Sequence, residues 1–351
     1  MTNDTMQRIV LARRPQGAPV PEDFRLETLP IPQPGPGEVL VGVSHLSLDP
    51  YMRGRMDAGK SYAAAVELGQ TMEGGAVGQV LASQAPDLAE GDWVFGPLGW
   101  ASHAVLPGHA LRRLDPGQAP VTTALGVLGM PGFTGWYGLT ELGRPRTGET
   151  LVVAAATGPV GSMVGQLAKL RGLRVVGIAG GARKCRLAVE EFGFDACIDH
   201  KDAGGRARDA RSIGAELEEA CPDGIDIYFE NVGGAVLQAV LGLMNPQGRI
   251  PLCGTIAWYD LGGMGRDGGT GPDMLPRAWR TILVNRLKVS GFIISDHWNR
   301  LPDFLAEVAP LVGSGQVRYR EDIAKGLENA PAAFIAMLKG GNLGKQIVQI
   351  A

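Results

Sequence analysis

Thr150-Leu151-Val152-Val153-Ala154-Ala155-Ala156-Thr157-Gly158-Pro159-Val160-Gly161 is the stretch that decides how this chain folds. Thr150 to Ala156 is a continuous apolar run of strand length, Val160 to Leu170 carries helical periodicity, and Arg174 to Ala179 is a second strand run. Together they predict one βαβ unit. The turn Ala156 to Gly161 departs from G-x-G-x-x-G only at its first position. Gly158 stands where backbone N–H groups approach a pyrophosphate, and Gly161 where the helix must pack closely on the strand. Pro159 suits a first helical turn. In a chain with 52 glycines the hexapeptide alone would be weak; the strand before it and the helix after it supply the context. Tight packing without a ligand is the alternative.

The alternation continues outward. Helices are predicted over Arg183 to Phe192, Arg208 to Ala220 and Val236 to Met244, with strands at Ala196 to Asp199, Ile225 to Glu230, Arg249 to Ile256 and Leu287 to Ile294. Such a succession predicts a doubly wound parallel sheet of the Rossmann type, covered on both faces. Before it, short apolar runs (Ile9 to Ala12, Phe24 to Ile31, Val39 to Leu48, Ala76 to Leu81, Trp93 to Phe95, Ala104 to Leu106) are bounded by Pro and Gly, the pattern of an antiparallel barrel or sandwich. The tail returns to strand, helix (Ala332 to Leu338) and strand (Gln346 to Ile350), and is expected to fold back on that first domain. The domain reading is therefore α/β: residues 1–128 with 318–351 as a barrel, and 129–317 as the dinucleotide-binding domain. The connection Ala257 to Pro276, rich in glycine, follows a strand carboxyl end and reads as a lid or as a surface loop without a role.

Charge and composition remove several classes. The chain has 351 residues, 45% hydrophobic and 20% charged, enough for two cores. A net charge of −3 without a basic run leaves no electrostatic footprint for nucleic acid. No stretch has the length of a membrane span, and Met1 to Arg14 lacks the apolar core of a signal peptide, so the cytoplasm is expected. Cys185, Cys197, Cys221 and Cys253 form no C-x-x-C pair, and the five histidines form no i, i+4 pair, so no metal site is expected. The absence of G-x-S-x-G argues against an α/β hydrolase. Gly54-Arg55-Met56-Asp57-Ala58-Gly59-Lys60-Ser61 matches the P-loop pattern letter for letter. It lacks a strand feeding into it and a parallel sheet around it, and is read as coincidence.

Beyond the second strand, Gly180-Gly181 is followed by Arg183 and Lys184 rather than by the carboxylate that accepts the adenosine ribose hydroxyls in NAD sites. Two cations at a helix start suit a 2′-phosphate, which points to NADPH/NADP+. An exposed helix face with no ligand is the other reading.

A barrel followed by an inserted Rossmann domain resembles the medium-chain dehydrogenase/reductases. More narrowly, the chain is similar to the zinc-independent branch of prostaglandin reductases, 2-alkenal reductases and curcumin reductases. The motifs that carry the likeness run nearly end to end: Asp49 to Arg53, Gly129 to Gly132, Ala155 to Gly161, Gln166 to Lys169, Glu230 to Gly234, Cys253 to Ile256, Gly291 to Ile293, Asp296-His297 and Asn342 to Lys345. Zinc relatives carry Gly-His-Glu where this chain has Thr71-Met72-Glu73, and a cysteine near Leu48.

The resemblance implies a GroES-like barrel, a homodimer, and a cofactor held by Gly158, Pro159, Val160, Gly161, Lys184, Asn231, Cys253, Gly254, Thr255, Ile256, Tyr259, Phe292, Ile293 and Asn342; Arg183 and His200 join this set on their charge, as departures from the family pattern. His200 stands where many relatives have tyrosine, and Arg183 where many have an acid; both keep or increase positive charge. Without a metal, the chemistry that suits this inventory is hydride addition to the β-carbon of an enone or enal, with Tyr259 stabilising the enolate. Met130, Trp258 and Tyr51 are expected to line an apolar slot for a small hydrophobic α,β-unsaturated carbonyl compound, although core packing explains Met130 and Tyr51 equally well. An NADPH quinone oxidoreductase and a non-catalytic NADPH-binding protein remain alternatives.

Overall fold

The computed structural model describes residues 5–59, 61–261 and 274–350. It divides into two compact units: residues 1–126, 259–268 and 321–351 form the first, and 127–258 with 269–320 the second, taking only the described residues of each.

In the first unit, β1 (Thr5–Leu11) and β2 (Phe24–Pro30) form an antiparallel pair. The larger sheet grows around β3 (Glu38–Ser47), which pairs antiparallel with β4 (Ala76–Ser83), with β6 (His103–Pro107) and with the chain's last strand, β15 (Lys345–Gln349). Between β4 and β7 (Arg112–Leu114) lies β5 (Trp93–Gly96), and β14 (Glu321–Lys325) joins β15 in parallel. Two register shifts between β3 and β4, at Leu40/Val41 and Val43/His45, bend the strands and let one strand serve three neighbours. There the backbones come so close that a Cβ on Gly78 would lie 2.2 Å from the Gly42 carbonyl oxygen. The core is aromatic at its centre: Trp100 stacks on Phe24 at 5.6 Å and meets Phe334 edge-on at 5.5 Å. Phe334 comes from the helix Ala330–Leu338, so the tail completes the core of the barrel.

A buried ion pair fixes the tail. Lys345 Nζ lies 2.7 Å from Asp49 Oδ1 and donates to the Leu48 carbonyl at 2.6 Å, both residues being almost wholly buried. Ser47 donates to the other Asp49 oxygen. Burial depresses the Lys345 ammonium, and the facing Asp49 opposes that shift.

The second unit is a six-stranded parallel sheet. Its strands are β8 (Thr150–Ala154), β9 (Arg174–Ala179), β10 (Ala196–Asp199), β11 (Ile225–Phe229), β12 (Met244–Leu252) and β13 (Lys288–Gly291). The spatial order is β10-β9-β8-β11-β12-β13, so the winding direction reverses between β8 and β11. Every residue of β8 is buried, as a strand covered on both faces requires.

Several sequence expectations need correction here. The strand predicted at Arg249 to Ile256 ends at Leu252. Cys253 and Gly254 donate their N–H groups to the Glu230 carbonyl, and Ile256 opens a 3-10 turn, Ile256–Leu261. The strand also starts earlier, at Met244, with a register shift against β11. The helix predicted over Val236 to Met244 is Gly234–Leu241. The P-loop-like stretch begins inside the short helix Tyr51–Arg55, and its Lys60 lies outside the described residues. Of the glycine-rich connection, residues 262–273 also lie outside them, while Leu275–Asn285 is a helix that begins within the predicted loop.

Candidate active site

The turn after β8 is shaped by one close approach. Ala155 adopts φ +52°, and the Gly158 N–H returns to its carbonyl at 2.9 Å. Gly158 is the N-cap of the helix Pro159–Leu170 and makes no side-chain cap. The first amide after Pro159 that reaches an intrahelical carbonyl is Ser162, bonded to Gly158 at 2.9 Å, so Val160 and Gly161 present the positive end of the helix. A Cβ on Gly161 would sit 2.3 Å from the Ala155 oxygen, whereas one on Gly158 would meet only that same oxygen at 3.3 Å. Internal packing thus demands glycine at 161, and it demands little at 158. A glycine kept open at a helix N-terminus is what close approach of a phosphate requires.

The ends of β9 and β10 hold the basic residues. Gly181, at φ +96°, caps the helix Ala182–Glu190, and its N–H donates to Asp199 Oδ1 at 2.7 Å. The same oxygen accepts the Lys201 N–H at 2.9 Å, so this carboxylate is committed to holding two backbone turns. A Cβ on Gly180 would lie 2.9 Å from His200 Nε2 and 3.0 Å from Lys201 Cε. His200, Lys201 and Lys184 therefore converge beside the Gly180-Gly181 turn. The sequence reading missed Lys201; its signal was only a cation two residues beyond a predicted strand. Arg183 is exposed on the same helix start. The expectation that His200 keeps a positive charge is revised: burial, with Lys201 and Lys184 adding to it, lowers the imidazole below its usual value, so it tends to the neutral form.

Across the reversal point, Asn231 Nδ2 donates to the Ala154 carbonyl at 2.8 Å and ties the end of β11 to that of β8. Asn231 is itself placed by Glu230, which is fully buried and whose Oε1 accepts the Val232 and Gly233 amides, the latter at 2.9 Å. Burial raises the Glu230 carboxyl despite these backbone donors. The segment Cys253, Gly254, Thr255 and Ile256 follows this loop, with the Ile256 N–H reaching the Asn231 carbonyl at 3.3 Å. Burial, with Glu230 nearby, pushes the Cys253 thiol up to about 12, so it stays a thiol. Trp258 lies over Gly233, whose Cβ would meet its ring at 3.1 Å. After β13, Phe292 packs 5.8 Å from the Tyr137 ring, and Ile293 precedes the 3-10 turn Ile294–Arg300. Met130 opens the helix Met130–Tyr137 and is half-buried. All the cofactor residues expected from this unit thus gather at the carboxyl ends of its strands, where open α/β sheets bind ligands.

Tyr51, Tyr259 and Asn342 belong to the first unit. Burial, together with Asp49 and Glu73, raises the Tyr51 phenol, which keeps its proton. Arg55 stacks on Tyr62 at 4.7 Å and on Tyr51 at 5.6 Å. Asn342 Nδ2 donates to the Gly344 carbonyl at 2.7 Å. Residues at the zinc-ligand positions do not fit a metal: Met72 and Leu48 are core residues of the barrel. Among the described residues no group of three His, Cys, Asp or Glu side chains could hold one.

Comparison with known proteins places the chain. A family model described as the N-terminal domain of oxidoreductase matches residues 7–114, and one described as zinc-binding dehydrogenase matches 159–309. The chain is 49% identical over 346 residues to the NADPH-dependent curcumin reductase of Escherichia coli, covering 98% of this chain and 97% of the relative. It belongs to the zinc-independent medium-chain dehydrogenase/reductases. Identity is 37% to the 2-alkenal reductase (NADP(+)-dependent) of Nicotiana tabacum, covering 98% and 97% of the two chains. Among solved structures, CurA of Vibrio vulnificus in complex with NADPH superposes with a TM-score of 0.91 at 47% identity, covering 98% of this chain and 99% of that one. The GroES-like barrel and Rossmann sheet expected from the sequence are thus the architecture of this family.

The two glycines of the turn are expected to separate on substitution. Gly161→Ala should destabilise the fold by about 1–3 kcal/mol through overpacking, read by urea denaturation. Gly158→Ala should stay within about 1 kcal/mol of the parent while weakening dinucleotide binding. Equal stability loss in both would contradict the packing difference.

Proposed function

We propose that this protein reduces the carbon–carbon double bond of small hydrophobic α,β-unsaturated ketones and aldehydes with NADPH, acting in the cytoplasm as a homodimer. The observation that carries the reading is full-length likeness to reductases named for NADP(H)-dependent reduction of curcumin and 2-alkenals, joined to a site that fits the phosphorylated dinucleotide. The open glycine at 158 leaves room for a pyrophosphate at a helix N-terminus. Lys184, Lys201 and the exposed Arg183 surround the turn where a 2′-phosphate would lie, with Asp199 already engaged by backbone amides.

Bound NADPH would supply the hydride that adds to the β-carbon, and the α-carbon takes its proton from solvent or from the enolate donor. The protein's own residues bind, orient and donate. Tyr259 can donate its phenol O–H to the developing enolate oxygen. Asn231, the 253–256 segment, Phe292 and Ile293 hold the nicotinamide half; Trp258, Met130 and Tyr51 supply apolar surface for a flat conjugated substrate. Water excluded by such surfaces strengthens the donor's hydrogen bond to the enolate.

The homodimer rests on one face of the second unit. On the helix Leu275–Asn285, Leu275, Trp279 and Leu283 recur at intervals of four and are 58%, 62% and 76% exposed. Among the described residues β13 pairs only with β12 and ends the sheet, and it carries the exposed Val289. An apolar helix face and a sheet-ending strand are surfaces that association would cover.

NADPH oxidation is to be measured side by side with an enal, an enone, a quinone and a saturated aldehyde, with product identification. Turnover of the first two to saturated carbonyls is expected, and activity on the quinone alone would reverse the assignment. In the same assay Lys184→Ala should raise KM for NADPH tenfold or more while leaving that for NADH nearly unchanged, about 1–3 kcal/mol being typical of a lost charged hydrogen bond. Equal losses would refute the phosphate contact. Tyr259→Phe should lower kcat about a hundredfold, the scale of a lost oxyanion donor, at similar NADPH affinity. For the assembly, light scattering should give twice the chain mass, falling to the monomer in Leu283→Glu; a monomeric parent would remove the dimer.

A further inference from the structure

Arg53 is fully buried in the first unit, and three arms of its guanidinium point to three different segments. Nη1 donates to Asp57 at 2.7 Å, one helical turn on, and Nη2 donates to the Gly17 carbonyl at 2.8 Å. Nε faces Asp260 Oδ1 at 3.4 Å, a charge-charge contact outside hydrogen-bond geometry, and among the described residues it has no hydrogen-bond partner. The two ends of this last contact are unlike: Arg53 has no exposed surface, whereas Asp260 is half exposed. Asp57 alone already neutralises the buried cation. The second carboxylate is therefore not needed to compensate the charge, and what the contact fixes is the segment that bears it. That segment is the 3-10 turn Ile256–Leu261, and the residue beside Asp260 is Tyr259.

We propose that the Arg53–Asp260 ion pair is a latch that holds Tyr259 in its donating position, making Asp260 a positioning residue for the reduction. The inference rests on the reading of Tyr259 as the enolate donor. A donor must lie within about 3 Å of the oxygen on which charge develops, and a turn free to shift by an ångström forfeits much of that stabilisation. Arg53 is rigid because its other arms are taken, so the turn inherits the order of the barrel.

Asp260→Asn keeps the side-chain shape and removes the charge, and it avoids disturbing the buried Arg53. It should lower kcat about three- to tenfold at saturating NADPH and enone, with KM for NADPH unchanged, and Asp260→Glu should recover most of the rate. Independently of turnover, hydrogen exchange of peptides spanning 256–261 should quicken in Asp260→Asn while peptides around residues 53–57 keep their protection. Combined with Tyr259→Phe, Asp260→Asn should cause no further loss, because a latch acts only through the group it holds. Unchanged exchange and unchanged kcat in Asp260→Asn would overturn the latch, as would rate losses that multiply in the double variant. If Tyr259→Phe alone kept full turnover while exchange still quickened in Asp260→Asn, the donor reading would be the part that fails, and the positioning role would fall with it.

Discussion

The contact on which the dinucleotide half depends is the one between the Ala155 carbonyl and the first turn of the helix Pro159–Leu170. Because Gly161 has no side chain, the helix can start against the end of β8, and the Gly158 N–H can close the turn on Ala155. A strand that is buried along its whole length must leave the sheet within a few residues, and this turn does so without spending a side chain on the helix N-terminus. The positive end of the helix stays available. Everything else in that unit is arranged around the same level: the Gly180-Gly181 turn held by Asp199, and Asn231 bonded back to Ala154.

In the barrel the corresponding constraint is electrostatic. Lys345 and Asp49 are buried together, and each would be expensive to bury alone. Their pairing fixes β15 beside β3 and thereby places Asn342, three residues before Lys345, and Tyr51, two residues after Asp49. Arg53 extends the same logic, since the short helix Tyr51–Arg55 begins two residues after that aspartate, with Pro50 as its N-cap. A motif that reads as a linear signature in sequence, Asp49 to Arg53, is thus two separate anchors one turn apart.

The parts legible in the sequence were those governed by local periodicity. β9 and β10 were read to the residue, and the helix after the glycine turn within one, because continuous apolar runs and helical spacing survive any tertiary context. Misreadings fall where a tertiary demand overrides periodicity. Cys253 to Ile256 is apolar enough for a strand, yet Glu230 and Asn231 take its amides and turn it aside. The helix Leu275–Asn285 was hidden because its apolar face is exposed within the unit and it follows a glycine-rich run. Lys201 and Arg53 carry no motif-level signal of their ligand geometry, since what matters is a missing Cβ at Gly180 and a distant Asp260. No local rule connects residues so far apart in sequence.

The acid–base character of the assembled groups narrows the chemistry further. The acids nearest the cofactor turns are already employed: Asp199 and Glu230 each accept two backbone amides, and burial pushes Glu230 toward its protonated form. The Cys253 thiol is held protonated, and so is the Tyr51 phenol. Acids engaged in this way and a thiol held protonated are poorly suited to deprotonate an alcohol or to form a covalent intermediate. Neutral hydrogen-bond donors, by contrast, stabilise an oxyanion while adding no charge to the ground state. Reduction of a conjugated double bond asks for that and little more: the negative charge appears on an oxygen remote from the carbon that receives hydride, so a neutral donor suits it, and accuracy of placement matters more than acidity.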